Sequence, residues 1–246
     1  MTDPNLAETL PDLSDDEDLP QTGRRRRSQP TAARRRFDTI YGEIRDRICL
    51  LRYPPGHTLG ETELAREFGI SRTPIRRVLQ RLEHEGLVES RQGIGTIVTL
   101  IDFEELREID DLRMRLAEIS GALSPIPRGH ADVERMRKLR ERCAKIRSRI
   151  DLEEFGRLNI AVQQELSCSI GNLSLRDISD RLFFQTARMW LQLLPMMNWP
   201  EEVDAFGNEI SDLIQAMELN DLGSLHYIRR NHISMSRMRM KGYFGQ

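Results

Sequence analysis

Arg72 and Arg76 stand four residues apart, with Thr73 between them, in a run where Ile75, Val78, Leu79 and Leu82 recur at helical spacing. Residues four apart project from the same side of a helix, so two guanidiniums and a hydroxyl would share one face of a first turn while the apolar residues share another. A guanidinium is planar and can pair with two acceptors of guanine at once, which suits an exposed arginine at a helix N-terminus to the major groove. Arg77 and Arg81 repeat the spacing one position round. Further along, Arg91, Gln92 and Gly93 fall in a short segment, 91–95, between two alternating runs, 87–90 and 96–99. Glycine at such a tip lets the backbone approach a phosphate or the floor of the minor groove. Arginines at helical spacing are most often a solvated face and a glycine turn most often only a turn. The order of these pieces, taken together, points to nucleic acid.

The elements that must position them are legible nearby. Residues 61–68 place Leu64, Ala65 and Phe68 on one helical face and stop at Gly69, a residue suited to the left-handed conformation that ends a helix. Ser71 is placed to cap the next helix, and Pro74 in its first turn removes only a donor that would have no intrahelical partner. After Gly86 the period changes to that of a two-stranded ribbon. Two short helices, a tight turn and a ribbon make a winged helix-turn-helix, a DNA reader.

Residues 37–99 resemble the DNA-binding domain of the GntR family of bacterial transcription regulators. The pieces are the leading helix TIYGEIRDRICLLRYPPGHTL, the run ELAREFGISRTPIRRVLQRLEHEGLV and the wing RQGIGTIV. The resemblance implies DNA contacts from Arg72, Thr73 and Arg76, with Gly93 as the wing glycine. Thr62 stands where members often carry an arginine that touches phosphate.

The chain of 246 residues is long enough for two ordinary cores, and the winged domain uses about a quarter of it. No apolar run approaches the roughly 20 residues that span a bilayer, and the start lacks a signal-peptide layout, so a cytoplasmic protein without membrane contact is expected. Cys49, Cys143 and Cys168 have no zinc or redox spacing and read as buried free thiols. Net charge is only −2, but its distribution is uneven. Residues 1–20 hold seven acids and no base, and residues 21–36 hold seven arginines and no acid. Neither block has apolar periodicity, so 1–36 reads as a disordered tail, acidic and then arginine-rich. The arginine block could grip phosphates beside the winged domain; a solvated tail is an equal alternative.

From residue 101 to 246 the pattern is helical throughout, with about six helices at 103–123, 130–150, 152–170, 173–196, 201–220 and 222–241. The first carries Leu106, Ile109, Leu112, Leu116 and Ile119 at helical spacing, and Trp190 lies in the fourth, the most apolar. Short connections favour antiparallel neighbours in a bundle, whose ligand sites are built from side chains on facing helices. In the order and lengths of its helices, the Gly171-Asn172 turn, and Ala216 with Asn220-Asp221, this half is similar to the all-helical FCD effector domain of the FadR subgroup, in its VanR-like branch. That resemblance implies an organic-acid effector, commonly held with a divalent metal, and puts the four metal positions at Asn159, Gln163, Ile210 and His232. Gln is a weak donor and Ile has no lone pair, so no cofactor and no metal is expected here. Asn159, Gln163 and His232 remain as polar groups able to line an effector pocket, with Arg188 as a partner for a carboxylate. His232 as a satisfied core histidine stays open, and the remaining histidines, His226 among them, read as surface or loop residues.

The expectation is therefore a mainly α protein: an N-terminal winged helix-turn-helix with a small β-wing at 37–100, and an all-α bundle at 101–246 for effector binding and dimerisation. Its expected partners are double-stranded operator DNA, a small-molecule effector and a second copy of itself. Arg72, Thr73, Arg76, Arg77, Arg91, Gln92 and Gly93 are the expected DNA-facing residues. A bundle that only dimerises is the rival reading. No nucleophile-base pair or phosphate loop supports an enzyme.

Overall fold

The computed structural model describes residues 31–100 and 102–243. Nine α-helices and three short strands account for most of them, so the protein is mainly α with one small sheet. Helix α1 (Ala32–Cys49) starts earlier than the composition suggests. Thr31 caps it by accepting from the Arg34 amide, and residues 32–36 are its first turn rather than part of a tail. A cap and an Arg34–Asp38 pair one turn apart supply locally what the absence of apolar residues does not. Residues 1–30, which hold the rest of the expected tail, lie outside the described residues.

Strand β1 (Thr58–Leu59) leads into α2 (Glu61–Glu67) and α3 (Arg72–His84), followed by β2 (Val88–Arg91) and β3 (Gly95–Val98). The ribbon expected from the sequence is a three-stranded antiparallel sheet in the order β1-β3-β2. Two-residue β1 escapes any pattern reading because it is defined only by pairing with β3, Thr58 to Ile97 and Leu59 to Thr96. Between α2 and α3, Gly69 adopts φ +62°, where a side chain would be strained. Ser71 occupies the N-cap position of α3 in extended backbone, but its hydroxyl makes no capping hydrogen bond.

The second half contains α4 (Phe103–Ser120), α5 (His130–Lys145), α6 (Leu152–Ser167), α7 (Leu173–Leu193), α8 (Trp199–Glu218) and α9 (Leu222–Met240), with a 3-10 turn at Leu194–Met196. Side chains of Asp102, Asp151, Asn172 and Asp221 cap α4, α6, α7 and α9, so four helix starts are set by single residues. Pro200 falls in the first turn of α8, where it is tolerated, and the helix begins at Trp199. In the bundle α4 packs on α9 and α7, α5 on α8 and α6, and α8 on α9. The face of α4 turned inward carries Leu106, Asp110, Met114, Ala117 and Ser120, whereas Leu112 and Ile119 are each 47% exposed.

The two halves share a core. Ile44, Ile48, Ile75, Val78 and Leu82 of the N-terminal helices cluster with Ile160 of α6 and Phe183, Phe184 and Ala187 of α7. Arg45 stacks over the Phe184 ring at 3.8 Å, and the Cys49 thiol donates to the Phe184 carbonyl at 3.6 Å. Cys49 and Cys143 are buried free thiols; Cys168, expected to be buried, is exposed.

His226 also departs from expectation, being only 3% exposed on α9, with Nε2 3.1 Å from the Ser169 hydroxyl. Burial lowers its imidazole from 6.5 to about 4. The unfolded chain therefore takes up a proton that the folded chain refuses between those values, so stability is complete above pH 6.5 and falls as pH drops toward 4. The loss is on the order of 3 kcal/mol. Urea midpoints measured at pH 7.5 and 4.5 are expected to diverge less for His226→Gln than for the parent; equal divergence would assign the acid sensitivity elsewhere.

Candidate nucleic-acid interface and bundle cleft

Helix α3 has two unlike faces. Ile75, Val78 and Leu82 are completely buried in the shared core, while the Arg72 and Arg76 side chains are 60% and 56% exposed. Thr73 is exposed beside them. The structure thus brings Arg72, Thr73 and Arg76 to one surface of the first turn. Both guanidiniums converge on Glu61 of α2: Arg76 donates through Nε (2.9 Å) and Nη2 (3.0 Å), and Arg72 through Nη2 (3.1 Å). The Arg76 bonds hold the Glu61 carboxyl down at about 2 against the opposing effect of burial, with Arg72 adding to the depression. Arg77 and Arg81 look the other way. Arg77 lies 5.8 Å from the Phe37 ring of α1, and Arg81 stacks at 3.8 Å over Tyr41 while pairing with Glu85 at 2.9 Å. The Phe37 ring beside it, and not helical spacing, sets Arg77 apart from Arg72 and Arg76, since Arg77 lies one turn from Thr73.

The wing is pinned to this helix by the Ser90 amide donating to Glu83 Oε1 at 2.9 Å. Its turn is closed by the Ile94 amide on the Arg91 carbonyl at 3.1 Å, with Gly93 at φ +78°. Arg91 pairs with Glu89 at 2.8 Å, and Arg91, Gln92 and Gly93 are all exposed at the tip, as an element that follows a groove requires.

A cleft opens among α4, α6, α7, α8 and α9. Its polar wall holds two ion pairs, Asp110 with Arg113 at 2.8 Å and Glu209 with Arg229 at 2.7 Å. Asn159 and His232 line the same cleft, and the His232 ring lies 4.0 Å from Glu209 and 3.7 Å from Asp212. Gln163 lies in an adjoining hollow that shares Arg113, Arg229 and Ile233 with the first. Its amide donates to the Ser167 hydroxyl at 3.2 Å and to Asp180 at 3.1 Å. Arg188 lines neither space. It is fully buried where α7 meets the end of the wing, and its Nη2 donates to the Thr99 carbonyl (3.0 Å) and hydroxyl (2.6 Å). The expected carboxylate partner is thus a link between the halves. Ile210 is apolar, fully buried and without a lone pair, so the four positions do not make a complete donor set for a metal ion. Among the described residues no group of three or more His, Cys, Asp or Glu is placed to hold one.

Residues 37–98 match the family described as bacterial regulatory proteins, gntR family. They are a gntR-family domain. The chain is 37% identical over 128 residues to an uncharacterized HTH-type transcriptional regulator in an unstable DNA locus of Streptomyces ambofaciens, covering 52% of this chain and 53% of that one. It is 24% identical over 208 residues, 83% of this chain and 90% of the other, to a probable D-xylose utilization operon transcriptional repressor of Paenarthrobacter nicotinovorans. The solved structure of E. coli McbR/YncC superposes with a TM-score of 0.71 at 18% identity, over 85% of this chain and 98% of that one, a likeness of fold. Against curated relatives such as the Streptomyces protein and a regulator from Agrobacterium vitis, the chain spans about half of the relative's length, 53% and 47%. The relatives named here are transcriptional regulators, not enzymes.

Several functional candidates in and beyond the gntR domain escape sequence reasoning. Gln80 is exposed one turn beyond Arg76, and the four-residue spacing alone could have found it. Glu61 could not be found that way, since its partners lie 11 and 15 residues away across a turn. Asp110 and Arg113 did leave a signal: both sit on the Leu106, Met114 and Ala117 face of α4, where charge is out of place unless paired.

Proposed function

We propose that this gntR-type chain is a DNA-binding transcriptional regulator, a repressor acting as a homodimer, whose operator affinity is set by a small molecule in the bundle cleft. The observation that carries the reading is the exposure of Arg72, Thr73 and Arg76 on the first turn of α3 while the opposite face is sunk in the core. Two such helices in a symmetric dimer read half-sites about one helical turn, ~34 Å, apart. The half-exposed Leu112 and Ile119 on the outer face of α4, with Leu123 beyond its end, support self-association, since apolar surface of this kind is costly in water. No helix among the described residues is long and apolar enough to cross a membrane. A ligand can shift DNA affinity only by binding one dimer arrangement better than another, and the buried Arg188–Thr99 link offers a route from α7 to the wing.

The test is selection of duplexes from a random pool by the full chain, followed by fluorescence anisotropy. Selected DNA is expected to bind at least 10³-fold more tightly than random DNA at physiological salt. Equal affinities for both would overturn the proposal.

Glu61 adds a further expectation. Its carboxylate holds both reading arginines and faces the surface where phosphates would lie, so it disfavours loose backbone binding. Glu61→Gln is expected to raise affinity for random duplex several-fold and to steepen the salt dependence by about one unit of slope. An unchanged slope would mean that Glu61 is displaced from the interface.

A further inference from the structure

We propose that the bundle cleft takes an uncharged, hydroxyl-rich ligand of the polyol or monosaccharide class rather than a carboxylic acid; this rests on the reading of the cleft as the effector site. The first argument is charge. Arg113 and Arg229, the guanidiniums of the cleft wall, already face the carboxylates of Asp110 and Glu209 at 2.8 and 2.7 Å. The two pairs cancel, and Arg188, the other cation the sequence offered for a carboxylate, is engaged with Thr99 outside the cleft. An anionic ligand would have to approach two buried carboxylates, or displace one from its guanidinium and leave it without a counter-charge, which buried sites tolerate poorly.

The second argument is the set of polar atoms without partners. Asn159 and Arg229 are only 6% and 9% exposed, yet among the described residues Asn159 Oδ1 and Arg229 Nε have no hydrogen-bond partner, and neither does the buried indole N–H of Trp190. All three residues line the cleft. Buried polar groups are nearly always satisfied, so three orphans on residues that line one space are groups a ligand can satisfy once these side chains turn toward it. The set asks for one donor, to Asn159, and two acceptors, for Trp190 and Arg229. A hydroxyl donates once and accepts twice, whereas an ionised carboxylate only accepts and leaves Asn159 unmatched. Hydroxyls can also donate to the free lone pairs of Asp110 and Glu209, which an anion cannot do. The lining also includes Leu106, Phe183 and Met240, an apolar surface that fits the C–H faces of a small ring.

The experiment is a thermal-shift and calorimetric comparison of the full chain with matched probes: D-glucose, D-ribose, D-xylose, xylitol and ribitol against D-gluconate, D-glucuronate and D-xylonate. At least one neutral probe is expected to raise the melting temperature and to bind ten-fold or more tightly than its acid counterpart. Asn159→Ala is expected to weaken that binding ten-fold or more. Trp190→Phe removes the N–H together with the five-membered ring but keeps an aromatic ring beside Phe155 and Phe206, so it is expected to weaken binding in a chain whose circular dichroism matches the parent's, a second readout where the Asn159 variant is poorly folded. If acids bind in preference, and the same two substitutions weaken them, the ligand class is wrong and the cleft reading stands. Silence from every probe, or binding that neither substitution alters, overturns the class and the cleft reading together.

Discussion

Arg72→Ala combined with Arg76→Ala is expected to abolish selective DNA binding while leaving the fold unchanged. Each guanidinium placed on a guanine discriminates by about 1–3 kcal/mol, so the double variant should lose between ~30-fold and ~10⁴-fold in affinity for a selected duplex. Both side chains are more than half exposed and, among the described residues, bond only to Glu61, so circular dichroism and the melting temperature should stay close to the parent's. Binding to random DNA should fall less, since phosphate contacts from the wing persist. Arg77→Ala and Arg81→Ala form the internal contrast, because these residues pack on Phe37 and Tyr41 of α1. They should change stability more than selectivity. If either alters base preference as strongly as the Arg72 and Arg76 pair does, the reading face has been placed on the wrong side of α3.

The second large effect is expected at Arg188. Its side chain is completely buried, with two bonds to Thr99 across the junction, and Gln185 one turn earlier donates to the Glu85 carbonyl at 2.7 Å. Arg188→Ala leaves a cavity and strips the Thr99 carbonyl of its donor, losses that together cost about 3–5 kcal/mol. For a chain of this size that is ~6–20 °C in melting temperature. Arg188→Met fills most of the volume and removes a buried charge whose Nε and Nη1 have no partners, so it should recover much of the stability. It cannot rebuild the bonds to Thr99. Ligand response in DNA binding is therefore expected to be lost in both variants, and stability in only one. A melting temperature within a degree of the parent's for Arg188→Ala would show that the junction does not depend on this side chain, and preserved ligand response in Arg188→Met would remove it from the coupling route.

Where local rules act, the sequence was sufficient. The start of α3 follows from Pro74 in the first turn and Gly69 before it, and its buried face from the spacing of Ile75, Val78, Leu79 and Leu82. The order of the six bundle helices follows from their periodicity and from caps such as Asn172 and Asp221. The exposure of Arg72, Thr73 and Arg76 follows from the same period. These signals work within one or two turns of chain, where geometry depends on sequence separation alone.

What lay across the fold was decided by packing. Strand β1 exists only as a partner of β3, with Leu59 opposite Thr96, 37 residues along, and Glu61 meets its arginines only because α2 folds back on α3. Helical spacing groups Leu106 with Leu112 and Ile119 along α4, yet α7 and α9 meet the face bearing Leu106, Asp110 and Met114, and Leu112 and Ile119 stay half-exposed. Arg188 illustrates the limit most plainly: an arginine in an apolar helix must find a partner, and the sequence says so, but not whether that partner is a ligand in the bundle or Thr99 beyond it. Helical spacing determines which residues share a face. Only the tertiary structure decides what that face meets, because burial rewards any close-packed neighbour and the choice among neighbours belongs to the whole chain.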